Sequence, residues 1–359
     1  MAIKQLTSRG SSSEDEELKK FVEKAKIRIK VIGCGGAGNN TISRLMQMGI
    51  KNVETIAINT DALDLLYTDA NKKILIGKET TRGLGAGADI SVGKKAAEEQ
   101  RDEIKNAIKG ADLLFLTAGL GGGSGSSSIP LVAQLAKEMN ILTIAIVTLP
   151  FLMEGRHRAE NARIALEELE QYADTLIVIQ NEKLLEVVPN LTLAEAFKFA
   201  DEILANAVKG IVDVVMNPGL VNVDFADLKA IVREGKFGVI GLGESDSEKR
   251  AIEAAERAIS HPLLNIEVSN GKAALIDIIS DPSITVKESQ KVIETIASRL
   301  SEDAKIIWGV QIDKNLNGKL KTLVVITGLE KPEYFKVKGF KKKKEIEKYL
   351  GVEFAEWVI

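Results

Sequence analysis

The chain has 359 residues, of which 45% are hydrophobic and only 4% aromatic, and its formal net charge is −3. This length accommodates two domains, and the weak net charge argues against a general attraction to nucleic acid. One cysteine and two histidines exclude a disulfide framework and argue against a His/Cys metal cluster. The longest apolar run, residues 141–153, is too short to span a bilayer, and no secretory signal is visible, so we expect a cytoplasmic protein.

From residue 27 onward the chain alternates between strand-like and helical patterns. Buried strands are predicted at 27–32, 53–59, 74–76, 113–117, 141–148 and 175–179. Helices are predicted at 39–48, 92–108 and 131–138. Alternating β and α elements predict an α/β fold with a doubly wound parallel sheet.

A long helical pattern over residues 193–216 ends at Asn217, Pro218 and Gly219, which form a strong helix stop. Further strands are predicted at 238–242, 273–279, 305–312 and 322–327, and further helices at 247–258 and 286–300. We therefore expect a smaller second α/β domain, joined to the first by the long central helix. The expected division is an N-terminal extension at 1–25, a first domain at 26–216, a second domain at 217–335 and a tail at 336–359.

Two glycine-rich segments each follow a predicted strand and precede a predicted helix. The first, residues 33–38, reads GCGGAG, and the second, residues 119–127, reads GLGGGSGSS. A segment of this kind aims backbone N–H groups and a helix N-terminus at an anion. Two of them in one domain predict a nucleotide whose polyphosphate is held from two sides. A third glycine-rich segment, residues 81–89, is either a flexible connection or a mobile flap near the terminal phosphate.

The first segment also satisfies G-x-G-x-x-G with Gly33, Gly35 and Gly38, which is typical of a dinucleotide site and suggests an NAD-dependent oxidoreductase as an alternative. That alternative expects an acidic residue at the end of the second strand, but the strand ends at Asn59, with Asp61 two residues further on. No Gly-Lys-Ser/Thr follows the glycines, so the Walker pattern does not match either. Phosphate charge would then be offset by backbone N–H groups, helix dipoles and Mg²⁺.

Taken together and in this order, the segments resemble the tubulin/FtsZ family over about residues 26–330. Residues 121–127 resemble the signature loop of that family, and its serine-rich form resembles the second archaeal group of FtsZ rather than the bacterial type. Family members usually have threonines and a final glycine where this chain has Ser124, Ser126 and Ser127. Serine keeps the hydroxyl group, but the added Cβ of Ser127 leaves the turnover rate open. Gln180 also replaces a proline that is often found before the guanine-binding asparagine.

The resemblance implies a guanine-nucleotide site formed by several segments. The phosphate loops would be Gly35, Gly36, Ala37, Gly38, Asn39 and Asn40, then Asn59, Thr60, Asp61 and Ala62, then Gly85, Ala86 and Gly87 near the γ-phosphate, and Gly122, Gly123, Ser124, Gly125 and Ser126 at the α- and β-phosphates. Glu154 would accept hydrogen bonds from the ribose, and Arg158 would stabilise the loop or the phosphates. On spacing alone, Glu154 and Arg158 are an i,i+4 surface ion pair.

The predicted helix at 193–216 carries Phe197 and Asp201 four residues apart, on one face. A carboxylate accepts from both N1–H and N2–H₂ of guanine, whereas adenine lacks this pair of donors. The resemblance implies that Asp201 and Asn181 contact guanine and that Phe197 stacks on its ring. The residues alone would instead place Phe197 in the core and Asp201 on a solvated helix surface.

Two acidic residues, Asp224 and Asp227, open a predicted helix just past the long one and share a face because they are three residues apart. By themselves they are typical of helix capping and of a favourable interaction with the helix dipole. The resemblance implies that this segment, which begins at Asn222, reaches the nucleotide of the next subunit, where its acids polarise the attacking water. A head-to-tail contact that does not close propagates a filament.

The resemblance as a whole implies a GTPase that polymerises head to tail into filaments at the site of cell division. Its cofactors would be GTP or GDP, with Mg²⁺ held through the phosphates, and its main partner would be a second copy of the chain. A slowly hydrolysing scaffold that co-assembles with a paralogous FtsZ stays open as an alternative. Four lysines at 341–344, followed by Phe354, Trp357 and Ile359, are either a solvated surface or a docking peptide for a membrane-anchoring or division partner.

Overall fold

The structure is a computed structural model that describes residues 27–187, 192–216, 219–221, 223–260 and 268–332. In chain order, the strands of this part, β1 to β10, are Ile29–Cys34, Val53–Asn59, Lys72–Leu75, Leu113–Gly119, Leu142–Leu149, Thr175–Gln180, Phe237–Ser245, Ala273–Ser280, Lys305–Ile312 and Leu320–Thr327. They form one sheet with the order β3-β2-β1-β4-β5-β6-β7-β10-β8-β9.

The helices of the same residues, α1 to α11, are Gly35–Gln47, Ala62–Tyr67, Ile90–Glu99, Arg101–Ile108, Gly123–Glu138, Arg156–Tyr172, Asn181–Val187, Leu193–Met216, Phe225–Glu234, Arg250–Ile259 and Val286–Ala297. Two short 3₁₀ helices lie at Leu152–Glu154 and Lys314–Leu316. Among the residues that the structure describes, none of the helices combines the length and the apolar character that spanning a bilayer requires.

Strands β1 to β6 pair in parallel, and their apolar side chains are buried on both faces of the sheet. Along β4, Leu114 and Leu116 belong to the core on one face, whereas Leu113 and Phe115 belong to the core on the other. Helices α4, α5 and α6 cover the first face, and α1 and α8 cover the second. The predicted doubly wound parallel sheet is confirmed for this part of the chain.

Strands β7 to β10 continue the same sheet with mixed pairing. β10 lies antiparallel between β7 and β8, and β9 is parallel to β8. β7 joins the first six strands through two parallel residue pairs, Leu176 with Phe237 and Ile177 with Gly238. The four strands predicted for the second domain are therefore present, but they extend the first sheet across a narrow junction. The domain boundary after residue 216 stays a prediction, and the extension at 1–25 and the tail at 336–359 lie outside the described residues.

Packing and side-chain hydrogen bonds shift some helix boundaries from the predicted ones. The helix predicted at 92–108 is two helices, α3 and α4, because the backbone leaves helical geometry at Gln100 (φ −106°, ψ 22°). The Gln100 Oε1 atom accepts a hydrogen bond from the Gly77 amide at 2.5 Å, which holds the break in place. Helix α6 follows the segment predicted to bind ribose and was not predicted as a helix.

Candidate functional site

The predicted site residues meet at one edge of the sheet. β1, β2, β4, β5 and β6 are parallel, so their carboxyl ends lie side by side, where open α/β sheets bind their ligands. The predicted segments follow these strand ends directly: Gly35–Asn40 after β1, Asn59–Ala62 at the end of β2, Gly122–Ser126 after β4, Glu154 and Arg158 after β5, and Asn181 after β6. The fold therefore brings residues from five separate parts of the chain together.

Two of the glycine segments form the first turns of helices rather than loops. The predicted helix starts were residues 39 and 131, but α1 begins at Gly35 and α5 at Gly123. Close packing of backbone against backbone overcomes the low helix propensity of glycine here. A Cβ added at Gly35 would lie 2.7 Å from the Gly125 amide nitrogen, and one at Gly125 would lie 2.9 Å from the Cys34 carbonyl oxygen. Glycine is thus required for the two helix starts to approach this closely.

Both helix starts leave room and hydrogen-bond donors for an anion. No side chain caps α1 or α5, whereas Asp61, Asp89 and Asp224 cap α2, α3 and α9. A Cβ added at Gly36 or Gly122 would meet no atom of another segment within 4 Å. An uncapped helix N-terminus beside open space favours an anion, because both its first N–H groups and the helix dipole attract negative charge.

Polar side chains tie the end of β2 to both helix starts. Asn39 and Asn59 each donate from Nδ2 to Oδ2 of Asp64, at 2.7 Å in both cases. The Asn59 Oδ1 atom accepts a hydrogen bond from the Thr60 amide at 2.8 Å. The Thr60 hydroxyl shares a hydrogen bond with the Ser124 hydroxyl on α5. These bonds hold the segment after β2 between α1 and α5.

The third glycine-rich segment lies against the same helix starts rather than at a distance from them. Gly85 donates from its amide to the Thr60 carbonyl at 3.4 Å. Ala86 is buried, and a Cβ added at Gly123 would lie 2.8 Å from the Ala86 Cβ. Gly85 and Gly87 have left-handed backbone conformations, with φ of +82° and +59°, that glycine adopts without strain. The segment thus borders the first turn of α5.

Glu154 and Arg158 form the i,i+4 ion pair that their spacing predicted, with 2.8 Å between Oε2 and Nη1. The Glu154 Oε1 atom also accepts a hydrogen bond from the Phe151 amide at 2.8 Å. Burial, together with the nearby charge of Glu154, raises the pKa of Glu182, which accepts a hydrogen bond from the Leu152 amide. The ion pair with Arg158 and the hydrogen bond from the Phe151 amide hold Glu154 in place at the end of β5. Its contact with a ribose stays a prediction.

The start of α8 presents one aromatic ring and one carboxyl group. Phe197 is 39% exposed and packs edge to face on Phe151, with ring centroids 5.2 Å apart, so it is not a core residue. Asp201 is half-buried, and its burial raises its pKa to about 7, although a hydrogen bond with Asn40 acts in the opposite direction. Asp201 is therefore not the solvated residue that its position alone suggested. Asn181 begins α7 and is buried.

Three buried polar atoms on segments of this edge have no hydrogen-bond partner within the described protein: Asn39 Oδ1, Thr117 Oγ1 and Asn181 Oδ1. Leaving such a group unpaired costs about 1–3 kcal/mol, so buried polar atoms are normally paired. Thr117 lies two residues before the end of β4, and Asn181 directly follows β6. Their positions near the strand ends indicate a place for a polar ligand.

The acidic residues predicted to act in catalysis stand at the far end of the long helix. Asp224 Oδ1 accepts a hydrogen bond from the Ala226 amide at 3.1 Å and caps α9, which confirms its capping role. Asp227 is exposed on the first turn of α9, and Asn222 lies outside the described residues. The 24 residues of α8 separate α9 from the start of α8 by about 36 Å of helix. Asp224 and Asp227 are therefore not part of the phosphate edge of their own subunit.

Local hydrogen bonds accommodate the serines of the signature segment. Ser126 Oγ accepts from the Gly121 amide at 2.8 Å, and Ser127 Oγ donates to the Gly123 carbonyl at 2.5 Å. Ser127 lies against Gly93 of α3, where an added Cβ would be 2.2 Å from the Ser127 Oγ. The extra atoms of Ser127 thus pack beneath α3, and their effect on turnover stays a prediction.

Three residues that support the site were missed at the level of sequence: Asp64, Thr117 and Asn161. Asn161 donates from Nδ2 to the carbonyl groups of Ala88 and Gly121, which lie 73 and 40 residues away along the chain. Such long-range contacts leave no local pattern. Asp64 alone had a local signal, because it follows the capping residue Asp61 at helical spacing.

The two parts of the chain match models of known families. Residues 28–189 match the GTPase domain of the Tubulin/FtsZ family, and residues 237–330 match the C-terminal domain of the FtsZ family. Cell division protein FtsZ 1 of Methanocaldococcus jannaschii is 51% identical over 333 residues, which cover 93% of this chain and 92% of that protein. Cell division protein FtsZ 1 of Thermococcus kodakarensis is 52% identical over 324 residues, which cover 90% of this chain and 87% of that protein.

Solved structures agree with these matches. An empty FtsZ dimer of M. jannaschii superposes with a TM-score of 0.84 at 52% identity, covering 89% of this chain and 93% of that one. CetZ2 from Haloferax volcanii, solved as a GTPγS-bound protofilament, has a TM-score of 0.74 at 22% identity over 90% of this chain and 97% of that one, and shares the fold.

These relatives also decide between the alternatives that the sequence left open. The archaeal resemblance is confirmed, but the similar proteins bear the name FtsZ 1 and do not support assignment to the second archaeal group. The NAD-dependent oxidoreductase alternative is not supported. The chain belongs to the FtsZ family of tubulin-like GTPases.

Proposed function

We propose that this protein binds GTP at the carboxyl edge of β1 to β6 and hydrolyses it at the contact between subunits of a head-to-tail filament that serves cell division in the cytoplasm. The observation that carries the proposal is the separation of two half-sites. Uncapped glycine-rich helix starts lie at one end of the molecule, and exposed carboxylates lie at the far end of α8.

The gathered groups suit each part of GTP. The phosphates would accept hydrogen bonds from the first N–H groups of α1 and α5, in the open space beside Gly36 and Gly122. The segment at 85–87 would lie beside the γ-phosphate, and Glu154 would contact the ribose. Asp201 would accept from guanine, with Phe197 stacked on the ring and Asn181 as a further contact. The unpartnered amide oxygens of Asn39 and Asn181 support this placement, because a polar ligand would pair them.

Mg²⁺ would be held mainly through the phosphates of GTP. The described residues contain no cluster of three His, Cys, Asp or Glu side chains that could hold a metal ion by itself. The Ser124 hydroxyl and the Asp61 carboxylate, both beside the helix starts, are oxygen donors of the kind that this cation prefers. When bound, Mg²⁺ would offset negative charge on the phosphates as it develops in the transition state.

Three carboxylates beside the phosphate edge bind groups of their own subunit: Asp61 and Asp89 each cap a helix through Oδ1, and Asp64 accepts from two asparagine side chains. Asp224 caps α9 through Oδ1 in the same way, whereas Asp227 is exposed. In the filament, Asp224 and Asp227 of the next subunit would orient and polarise the attacking water. Asn222 belongs to the same segment and would assist them.

Both ends of the molecule carry exposed apolar side chains that suit such a contact. At the nucleotide end, four of them are 63–86% exposed: Leu63, Leu66, Tyr67 and Leu84. At the other end, Leu220 and Val286 line a groove of about 440 Å³ between the segment before α9 and helix α11. Exposed apolar patches are typical of interaction surfaces, and contact between two different surfaces adds subunit after subunit into a filament. The similar FtsZ of M. jannaschii was solved as a dimer.

The test is GTP hydrolysis per subunit, measured with Mg²⁺ over a series of protein concentrations. We expect a rate near zero at low concentration and a rise above a threshold, because the site is completed by the adjacent subunit. A rate per subunit that does not depend on concentration would contradict the proposal. GTP binding without hydrolysis at every concentration would favour a scaffold that co-assembles with a paralogous FtsZ.

Recruitment to the division site through a membrane-anchoring or division partner is a separate part of the proposal. It rests on the tail at 336–359, which lies outside the described residues. Removing the tail should leave GTP hydrolysis intact and abolish localisation at midcell. Unchanged localisation of the shortened protein would contradict this part alone.

A further inference from the structure

Asn161, on the second turn of α6, joins two segments of the proposed GTP site. Its side chain is buried, and its Nδ2 atom donates to the Ala88 carbonyl at 2.7 Å and to the Gly121 carbonyl at 3.0 Å. Ala88 lies at the end of the third glycine-rich segment, and Gly121 lies just before the start of α5. One amide group thus uses both of its hydrogens to link two phosphate-facing segments.

Both carbonyls belong to residues with left-handed backbone conformations. The φ angle is +60° at Ala88 and +114° at Gly121. Alanine rarely adopts such a conformation, which persists only where the surrounding contacts enforce it. Asn161 supplies that contact at Ala88, and the His157 Nε2 atom lies 3.2 Å from the same oxygen.

The third glycine-rich segment is therefore held at both ends. Gly85 is tied to the Thr60 carbonyl at one end, and Ala88 is tied to Asn161 at the other. Between them, a Cβ added at Gly87 would meet no atom within 4 Å, so this residue borders open space. The Asn161 amide links the segment to the start of α5, because the same group also binds Gly121, and Ala86 packs beside Gly123.

We infer that Asn161 is a positioning residue that sets the 85–88 segment against the start of α5 and thereby determines the preference of the site for GTP over GDP. The inference rests on the proposed function. Asn161 acts through the carbonyl groups of Ala88 and Gly121. Without it, the segment keeps its tie at Gly85 and the His157 contact at Ala88, but it loses its hydrogen-bonded link to the Gly121 carbonyl beside the start of α5.

The test compares Asn161→Asp, which keeps the size but removes both donors, with Asn161→Ala, which removes them without adding a charge. Below the assembly threshold, GDP and a non-hydrolysable GTP analogue compete with fluorescent GDP, and the ratio of their Kd values is measured. We expect each variant to lose about fivefold to tenfold of the preference for the triphosphate, as for the loss of one or two buried hydrogen bonds, with little change for GDP. Amide hydrogen exchange of residues 83–89 should rise.

Thr175→Val is a matched control. Thr175 is also buried and donates its hydroxyl to the Val232 carbonyl at 2.7 Å, but it begins β6 at the opposite edge of the sheet. It should lower the melting temperature and leave the ratio unchanged. Equal weakening of both nucleotides in the Asn161 variants, or a ratio equal to that of the control, would overturn the inference. If the unaltered protein bound no guanine nucleotide, the proposed function would fail and the inference with it.

Discussion

Helices α5 and α9 both begin in segments that the proposed function uses, yet their N-termini differ in capping and in charge. α5 follows Gly122, has no side-chain cap and no acidic residue in its first turn. α9 is capped by Asp224 and carries Asp227 in its first turn. The first N-terminus can take up a foreign anion, whereas the second already holds its own negative charges. One is suited to bind phosphate and the other to present carboxylates.

The length of α8, the helix that precedes α9, shows why this difference matters. The length of α8, about 36 Å, keeps the carboxylates of one subunit away from its own phosphate edge. Each end therefore lacks what the other supplies. In the proposed filament, the contact would bring the two kinds of helix start together, and the variants at α9 and at α5 each test one of them.

Removing the carboxylate charges at α9 should have the largest effect on GTP hydrolysis. In Asp224→Asn the cap is retained, because asparagine caps helices as well as aspartate does. Asp227→Asn changes an exposed carboxylate without changing its size. Each variant should hydrolyse GTP about 100-fold to 10,000-fold more slowly, as expected for the loss of a group that activates water. GTP binding by the isolated subunit should not change.

The matched control for these variants is Asp246→Asn, which alters another exposed carboxylate of the same domain. It should hydrolyse GTP at the rate of the unaltered protein. If Asp224→Asn and Asp227→Asn hydrolysed GTP as fast as this control does, α9 would have no part in the reaction.

A side chain in the open space at α5 tests the other end. Gly122→Ala should fold with an unchanged melting temperature, because its Cβ meets no protein atom and its φ of −80° suits alanine. GTP affinity should fall about 10-fold to 100-fold if phosphates occupy that space. Gly49→Ala should show the opposite pattern: its φ of +69° strains alanine and lowers the melting temperature, without any change in affinity. Unchanged GTP affinity in Gly122→Ala would show that phosphate does not lie there.

The pH dependence of GTP affinity sharpens the assignment of the base-binding end. In the proposed site Asp201 would accept from guanine as a carboxylate, and burial raises its pKa to about 7 in the free protein. Affinity should therefore rise with pH up to about 7 and level off above it, with about tenfold weaker binding at pH 6 than at pH 8. Calorimetric titrations across this range check it. Asp201→Asn should abolish the dependence, and a flat profile for the unaltered protein would exclude Asp201 as the guanine contact.

A second buried carboxyl group gives the smallest expected effect and serves as a contrast. Burial raises the pKa of Asp277 to about 7 as well, and its Oδ2 accepts from Gln311 Nε2 at 2.9 Å, which acts in the opposite direction. The native protein keeps a proton that an unfolded aspartate, with a pKa of about 3.9, releases, so stability should fall as pH rises from about 4 to about 7.

The Asp277→Asn variant should lose this trend and gain about 1 kcal/mol in its free energy of unfolding at pH 8, less than the full shift implies because the new amide needs its own partners. Urea unfolding at pH 5 and pH 8 measures the difference. GTP affinity should stay unchanged. A variant that is less stable than the unaltered protein at pH 8 would contradict this account of the Asp277 carboxyl.

Local pattern was sufficient where a single periodicity runs the length of an element. The strand at 53–59 and the helix at 193–216 have the bounds that their apolar periodicity predicts. The helical start at Gly123 was not predictable in this way, because glycine and serine disfavour helices and the packing of Gly125 against Cys34 comes from another part of the chain. The junction between β6 and β7 is likewise a long-range pairing without a local signal.

In the candidate site, too, local pattern predicted some features, whereas others depend on long-range contacts. Glycine segments after strands predicted the phosphate edge, and helical spacing predicted that Phe197 and Asp201 share a face. Burial of Asp201 and the bridge formed by Asn161 depend on elements far apart in sequence, so periodicity could not indicate them. The proposed partner of Asp224 and Asp227 is the nucleotide edge of a second molecule, and periodicity within one chain carries no signal for it.

Mixing two variants that should each fail to hydrolyse GTP is the most direct test of a GTP site shared between subunits. One carries both Asp224→Asn and Asp227→Asn, with an intact phosphate edge, and the other carries Gly122→Val, whose larger side chain would fill the phosphate space while the α9 acids stay intact. A site shared between subunits predicts that the equimolar mixture hydrolyses GTP faster than the sum of the two variants alone, because some contacts then pair two intact halves. A rate equal to that sum, from variants shown to sediment together in one filament, would contradict a site shared between subunits.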